Sequence, residues 1–157
     1  MSGHLPKQKQ DFLKIPGAKI AIISSSWHWD IVGEMIKTCV VEVELLDIAS
    51  VEIHKLPGSL ELPLTAKLLF ESKPDLNAII AFGVVLKGGT THNDTVLQQV
   101  NQGFSLVSDK FSKPIINEVI GVDDIKDAQS RAVSKGVEAA YAVSEFLHWK
   151  KNNLGNY

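Results

Sequence analysis

Four short apolar runs, each followed by a stretch with helical spacing, constrain this chain more than any other feature. Lys19 to Ser24 reads KIAIIS, a β run that ends in a serine triplet. After it Ile31, Val32, Met35, Ile36, Cys39, Val40, Val43 and Leu46 recur every three or four residues, the spacing of an amphipathic helix. Val51 to Lys55 alternates like a second strand, and Pro57-Gly58-Ser59 breaks it. Leu60, Leu64, Leu68 and Leu69 then space a second helix, with Ser59 as its expected N-cap and Pro63 tolerable in its first turn. Ala78 to Phe82 is the third strand, ending at Gly83, and Val96, Leu97, Val100, Phe104, Val107 and Phe111 mark the third helix. Pro114 to Asn117, extended toward Ile120, reads as a fourth strand. Asp123-Asp124 heads a last helix carrying Ala128, Ala132, Val137, Ala140, Tyr141 and Phe146. Residues 1–17 are expected to form a polar arm closed by Pro16-Gly17, and residues 18–157 a single domain.

Strands that alternate with helices require a parallel sheet covered on both faces, so the expected fold class is α/β, a three-layer α/β/α sandwich on a four-stranded parallel sheet. At 157 residues the chain can bury about two thirds of its unfolded surface in one domain. Sixteen Lys and Arg against 18 Asp and Glu leave a net charge of −2, which excludes a strongly basic nucleic-acid binder. The single cysteine, Cys39, excludes an internal disulfide and any cysteine cluster for a metal. It lies on an apolar helix face and reads as an inert core thiol. Met1 to Lys14 lacks the apolar core of a signal peptide, and Ala78 to Leu86 is about half the length needed to span a bilayer. A cytoplasmic location with no membrane partner is the expectation.

In a parallel sheet of this kind ligands bind beyond the carboxyl ends of the strands. Four loops occupy that edge: 24–29, 56–61, 84–94 and 117–124. The third holds Lys87, Gly88, Gly89, Thr90 and Thr91 at the head of a helix, where backbone N–H groups and the positive helix end suit an anion. An ordinary glycine-rich turn has the same composition. His92 stands at the mouth of this loop, where an imidazole can move protons near neutral pH or simply cap the helix. Trp27 and Trp29 flank His28 in the first loop, and an indole there either stacks on a flat heterocycle or packs under the next helix. Glu61, at the start of the second helix, either reads the edge of a polar ring or complements the helix dipole. Arg131 on the last helix suits a phosphate fork as well as a surface ion pair. His28, His54, His92 and His148 are scattered, with no pair at metal-ligand spacing.

Taken together and in this order, the loops resemble the lumazine synthases, enzymes of riboflavin biosynthesis. Leu56 to Pro63 (LPGSLELP) is similar to the family's Val-Pro-Gly-(Ala/Ser)-aromatic-Glu-(Ile/Leu)-Pro. Ala81 to Asp94 (AFGVVLKGGTTHND) is similar to its Gly-x-Thr-x-His loop, and Gln129 to Ala132 and Lys135 to Ala140 match two motifs of its last helix. The resemblance implies a flavodoxin-like fold and the condensation of 5-amino-6-(D-ribitylamino)uracil with 3,4-dihydroxy-2-butanone 4-phosphate, with no metal or organic cofactor. A lumazine- or flavin-binding protein of the same fold, with weak or no synthesis, is the alternative. The resemblance also implies roles. His92 is the proton shuttle. Gly89, Thr90 and Arg131 hold phosphate. Trp27 stacks on the uracil, Ser59, Leu60, Glu61, Val84, Val85 and Leu86 fix the ring and its ribityl chain, and Asn117 and Lys135 complete the substrate site. Family members form pentamers, or multiples of them, with sites shared between neighbouring copies. Asn117, Asn93 and Leu60 depart from aromatic residues usual in the family, and Glu118 from a common glycine.

Overall fold

The computed structural model describes residues 12–89 and 91–157. Its elements alternate throughout: β1 (Lys19–Ser25), α1 (Trp29–Glu44), β2 (Ser50–Leu56), α2 (Leu62–Ser72), β3 (Ala78–Leu86), α3 (His92–Phe111), β4 (Ile115–Val122) and α4 (Ile125–Leu154). The four strands pair in the order β2-β1-β3-β4, and every pairing is parallel. This is the expected three-layer α/β/α sandwich with a flavodoxin-like strand order. Among the described residues no helix is long and apolar enough to cross a membrane.

Strand alternation sends side chains to two separate cores. Ile20, Ile22, Ile80, Phe82 and Val84 face α1 and α4, while Ala21, Ile23, Ile79, Ala81 and Val85 face α2 and α3. Cys39 is wholly buried on the first of these faces, and burial pushes its thiol up to about 12, so it is the inert thiol expected. Asp124 caps α4, its carboxylate accepting from the Lys126 N–H at 2.9 Å.

Three expectations need correction. The strand expected to end at Gly83 continues to Leu86, and the helix expected from Val96 begins at His92. The loop between them is therefore short, and His92 occupies the first turn of a helix. The second correction concerns α2, which is entered through a 3-10 turn, Ser59–Glu61, and Ser59 makes no side-chain cap. The turn sets the helix on a different face: Leu62, Ala66, Leu69 and Phe70 are buried, whereas Leu60, Leu64 and Leu68 are exposed. The third is that the stretch read as a polar arm ends inside the domain. Ile15 is fully buried and its N–H donates to the Leu46 carbonyl at 2.9 Å; residues 1–11 of that stretch lie outside the described residues.

The α1–α4 contact depends on Gly136. A Cβ there would lie 2.5 Å from the Met35 carbonyl oxygen and 2.9 Å from the Cys39 nitrogen, both backbone atoms that cannot rotate aside. Gly136→Ala is therefore expected to push the helices apart and cost about 1–3 kcal/mol, seen as a lower thermal midpoint. A midpoint equal to that of the parent chain would show that α1 and α4 do not pack this closely.

Candidate functional site

Because all strands run the same way, their carboxyl ends share one edge, and a cavity of about 490 Å³ opens there. Trp27 and His28 line it from beyond β1, Gly58, Ser59, Leu60 and Glu61 from beyond β2, Val84, Val85 and Leu86 from β3, and His92, Asn93 and Val96 from the first turns of α3. Trp27, Ser59, Leu60, Glu61, Val84, Val85, Leu86 and His92, from three separate loops of the sequence, thus meet at one place.

The wall formed by β3 follows from strand length. The β1–β3 ladder ends at Ser24 and Phe82, whereas β3 runs on to Leu86, paired only with β4. Residues 83–86 thus have no strand partner among the described residues on the side that β1 has left, and this edge borders the cavity. Backbone donors and acceptors on such an edge read a polar ring without needing particular side chains.

Trp27, on the same cavity, is 69% exposed, so its indole is not packed under α1. His28 turns the chain into α1 through a left-handed backbone (φ 54°), and the Ser26 hydroxyl donates to the Leu56 carbonyl at 2.7 Å, tying the first loop to the second. Trp29 is turned away from the cavity. Its ring lies over Gly33, and the Lys55 ammonium sits 3.6 Å from its centroid. Gly58 makes room for two neighbours: a Cβ there would meet the Glu61 carboxylate at 3.0 Å and Trp27 Nε1 at 3.9 Å.

The turn from β3 into α3 is open. Gly88 and Gly89 are exposed, and among the described residues nothing beyond the chain neighbours lies within 4 Å of where a Gly89 side chain would begin. Neither adopts a left-handed backbone, so their contribution is access to the main chain. The Asn93 amide donates to the Leu86 carbonyl and folds the turn back on the strand. Lys87 pairs with Asp94 at 3.8 Å. Thr90 lies outside the described residues.

Four expected site residues, Gly89 in the turn just described and Asn117, Arg131 and Lys135, are not among those lining this cavity within the single chain. Asn117, on β4, donates its amide to Asn101 Oδ1 at 2.7 Å and lines a second, more open hollow of about 960 Å³ that also includes Phe146 and Trp149. Arg131 is exposed on α4 and makes no ion pair among the described residues. Lys135, one turn further on, is enclosed: its ammonium is 3.2 Å from Glu118 and 2.8 Å from Glu138. Burial pulls that ammonium down, but Glu138 and Glu118 outweigh it and hold the group above its ordinary value. Burial pushes the Glu118 carboxyl up, and Lys135 offsets this only in part.

Sequence reasoning missed His28, Gly58, Asn93 and Val96 as lining residues. His28 and Gly58 sit inside the motifs already singled out, and Asn93 stood out only as a departure. Val96 belongs to the apolar stripe of α3, and nothing in that stripe distinguishes a cavity wall from a core. Among the described residues no group of three or more His, Cys, Asp or Glu side chains is arranged to hold a metal.

Lys135 yields a prediction with a pH signature. Lys135→Met leaves Glu118 without its nearest cation and is expected to cost about 1–3 kcal/mol at neutral pH. Since the folded-state pKa of Glu118 is raised, protonation neutralises it as the pH falls through that value, and the deficit shrinks toward acid. Urea melts at neutral and mildly acid pH check this; a deficit independent of pH contradicts it.

Comparison with known proteins agrees with the geometry. Residues 17–151 match the family model described as 6,7-dimethyl-8-ribityllumazine synthase. A protein of that name from Desulfosudis oleivorans is 34% identical over 82% of this chain and 82% of its own length. One from Burkholderia ambifaria is 31% identical over 90% of this chain and 83% of its own, and one from Cupriavidus necator is 30% identical over 84% and 80%. The chain belongs to the 6,7-dimethyl-8-ribityllumazine synthase family.

Proposed function

We propose that the chain uses this cavity to make 6,7-dimethyl-8-ribityllumazine, condensing 5-amino-6-(D-ribitylamino)uracil with 3,4-dihydroxy-2-butanone 4-phosphate and releasing inorganic phosphate and water. The observation that carries the reading is the meeting of Trp27, Glu61 and His92 on one cavity. The uracil stacks on the exposed Trp27 indole. Its polar edge meets Ser59, Leu60 and Glu61 at the 3-10 turn and the free edge of Val84, Val85 and Leu86, which also carries the ribityl chain.

The chemistry needs no protein nucleophile, because the substrate's own amine attacks the ketone. Loss of water gives an imine. Removal of a proton from the neighbouring carbon then expels phosphate, tautomerisation forms a new ketone, and the ribityl-bearing nitrogen closes the ring with loss of a second water. Each step moves protons between carbon, nitrogen and oxygen, and His92, at the mouth of the phosphate turn, serves that traffic. Gly89 and Thr90 hold the phosphate with their main chain and hydroxyl. Holding both substrates in register supplies much of the acceleration, up to about 7–11 kcal/mol in favourable cases.

Arg131, Lys135 and Asn117 serve the cavity of an adjacent copy in a homo-oligomer, a pentamer or a multiple of it. Two features support an assembly: Arg131 has no ion-pair partner among the described residues, and Leu64, Leu68 and Leu106 are more than half exposed on α2 and α3. We place the activity in the cytoplasm. Asn117 favours a second reading, a lumazine binder with little synthesis, because an amide bonded to Asn101 cannot stack as an aromatic would.

The decisive assay mixes purified protein with both substrates and follows lumazine absorbance. A rate above the spontaneous reaction supports the synthase; the spontaneous rate alone rejects it in favour of the binder. His92→Ala is expected to lower turnover about 10²-fold with little change in substrate affinity. Arg131→Ala is expected to raise KM for the butanone phosphate about tenfold or more and leave KM for the uracil unchanged. An unchanged turnover number in the first, or an unchanged phosphate KM in the second, removes that residue from its role.

A further inference from the structure

We propose that Ser25 is a positioning residue for the heterocycle subsite: with a ring bound, its buried hydroxyl donates to the hydroxyl of Ser59, so that the Ser59 proton is directed at an acceptor on the ring. The inference rests on the reading of the cavity as a heterocycle site.

Ser25 is the last residue of β1 and is fully buried. Its hydroxyl has no hydrogen-bond partner among the described residues. A buried hydroxyl without a partner destabilises the protein that carries it, so its presence calls for a use. The register supplies one. Ser24 pairs with Phe82, which sets Ser25 beside Gly83 on the face toward α2 and α3. The Ser25 and Ser59 hydroxyl oxygens each lie 3.1 Å from the point where a Cβ on Gly83 would sit. Gly83 has no left-handed backbone, so the absence of a side chain matters here for space: it leaves both hydroxyls next to the same bare Cα.

The two serines differ in access. Ser59 lines the cavity and is 8% exposed, whereas Ser25 lies behind it at 0%. A serine hydroxyl has one proton and two acceptor lone pairs. Alone, Ser59 can turn its proton in several directions. When it accepts from Ser25, one lone pair is occupied and the proton is left pointing to the cavity. Ser25 thereby reaches the ligand through Ser59 without touching it.

The test is a double-mutant cycle on the full chain, read as the Kd of 6,7-dimethyl-8-ribityllumazine by fluorescence titration. Ser25→Ala and Ser59→Ala are each expected to weaken binding about three- to tenfold. The double variant is expected to bind no more weakly than Ser59→Ala alone, because Ser25 acts only through Ser59. The thermal midpoint of unliganded Ser25→Ala should equal or exceed that of the parent. Gly83→Ala, which places a methyl 3.1 Å from each hydroxyl oxygen, should weaken binding as Ser25→Ala does. Unchanged binding in Ser25→Ala overturns the proposal, as do single-site losses that multiply in the double variant. Turnover of the parent chain tests the synthase reading separately: a parent that binds the lumazine but forms no product rejects synthesis and leaves the cycle fully interpretable, and a parent that does not bind it overturns both.

Discussion

Parallel pairing of all four strands is the constraint from which the site follows. In an antiparallel sheet the loops beyond β1, β2 and β3 would alternate between opposite edges. Here they emerge together, and Trp27, Ser59–Glu61 and His92, each a few residues past a strand end, are brought to one cavity despite more than sixty residues of chain between the first and the last. The unequal strand lengths refine the result. Because β3 outlasts β1, its final residues form a wall of the cavity whose main-chain edge has no strand partner among the described residues.

Stability and function occupy separate layers of the sheet. Below the carboxyl edge the strands are filled with Ile, Ala and Phe, packed against two helices on each face. At the edge the composition changes to Ser24 and Ser25 on β1, with Ser26 just beyond it, and to glycine at 83, 88 and 89. These residues add little apolar surface to the cores; they give close approach and hydrogen-bonding groups. Tight packing occurs at Gly136 between α1 and α4, at Gly103, where a Cβ would stand 2.7 Å from Pro63, and at Gly121 near the end of β4, where it would stand 2.4 Å from Leu97.

Much of this was legible in the sequence because strand and helix periods differ so clearly. KIAIIS and the stripe from Ile31 to Leu46 locate β1 and α1 closely, and the order of elements alone implies the parallel sheet. The errors have local causes. Gly83 resembles a strand terminator, yet β3 continues past it because β4 supplies a partner up to Val122. Leu60, Leu64 and Leu68 form a true apolar stripe, but the 3-10 turn rotates α2 so that the stripe faces outward. The motifs located Trp27, Ser59, Glu61 and His92, because their chemistry is compact in sequence. No pattern within one chain could say that Arg131, Lys135 and Asn117 would lie away from the cavity, or that Glu118 and Glu138 would enclose the Lys135 ammonium, since those relations depend on how α4 crosses the end of β4.

The central claim is spatial: a flat heterocycle rests between the Trp27 indole and the free edge of β3, with the His92 imidazole beside it. A crystal structure of the protein soaked with 5-amino-6-(D-ribitylamino)uracil tests this most directly. The account predicts ring density in the cavity lined by Trp27, Ser59 and Val85. Ring density in the hollow beside Phe146 and Trp149, with this cavity left empty, would contradict it.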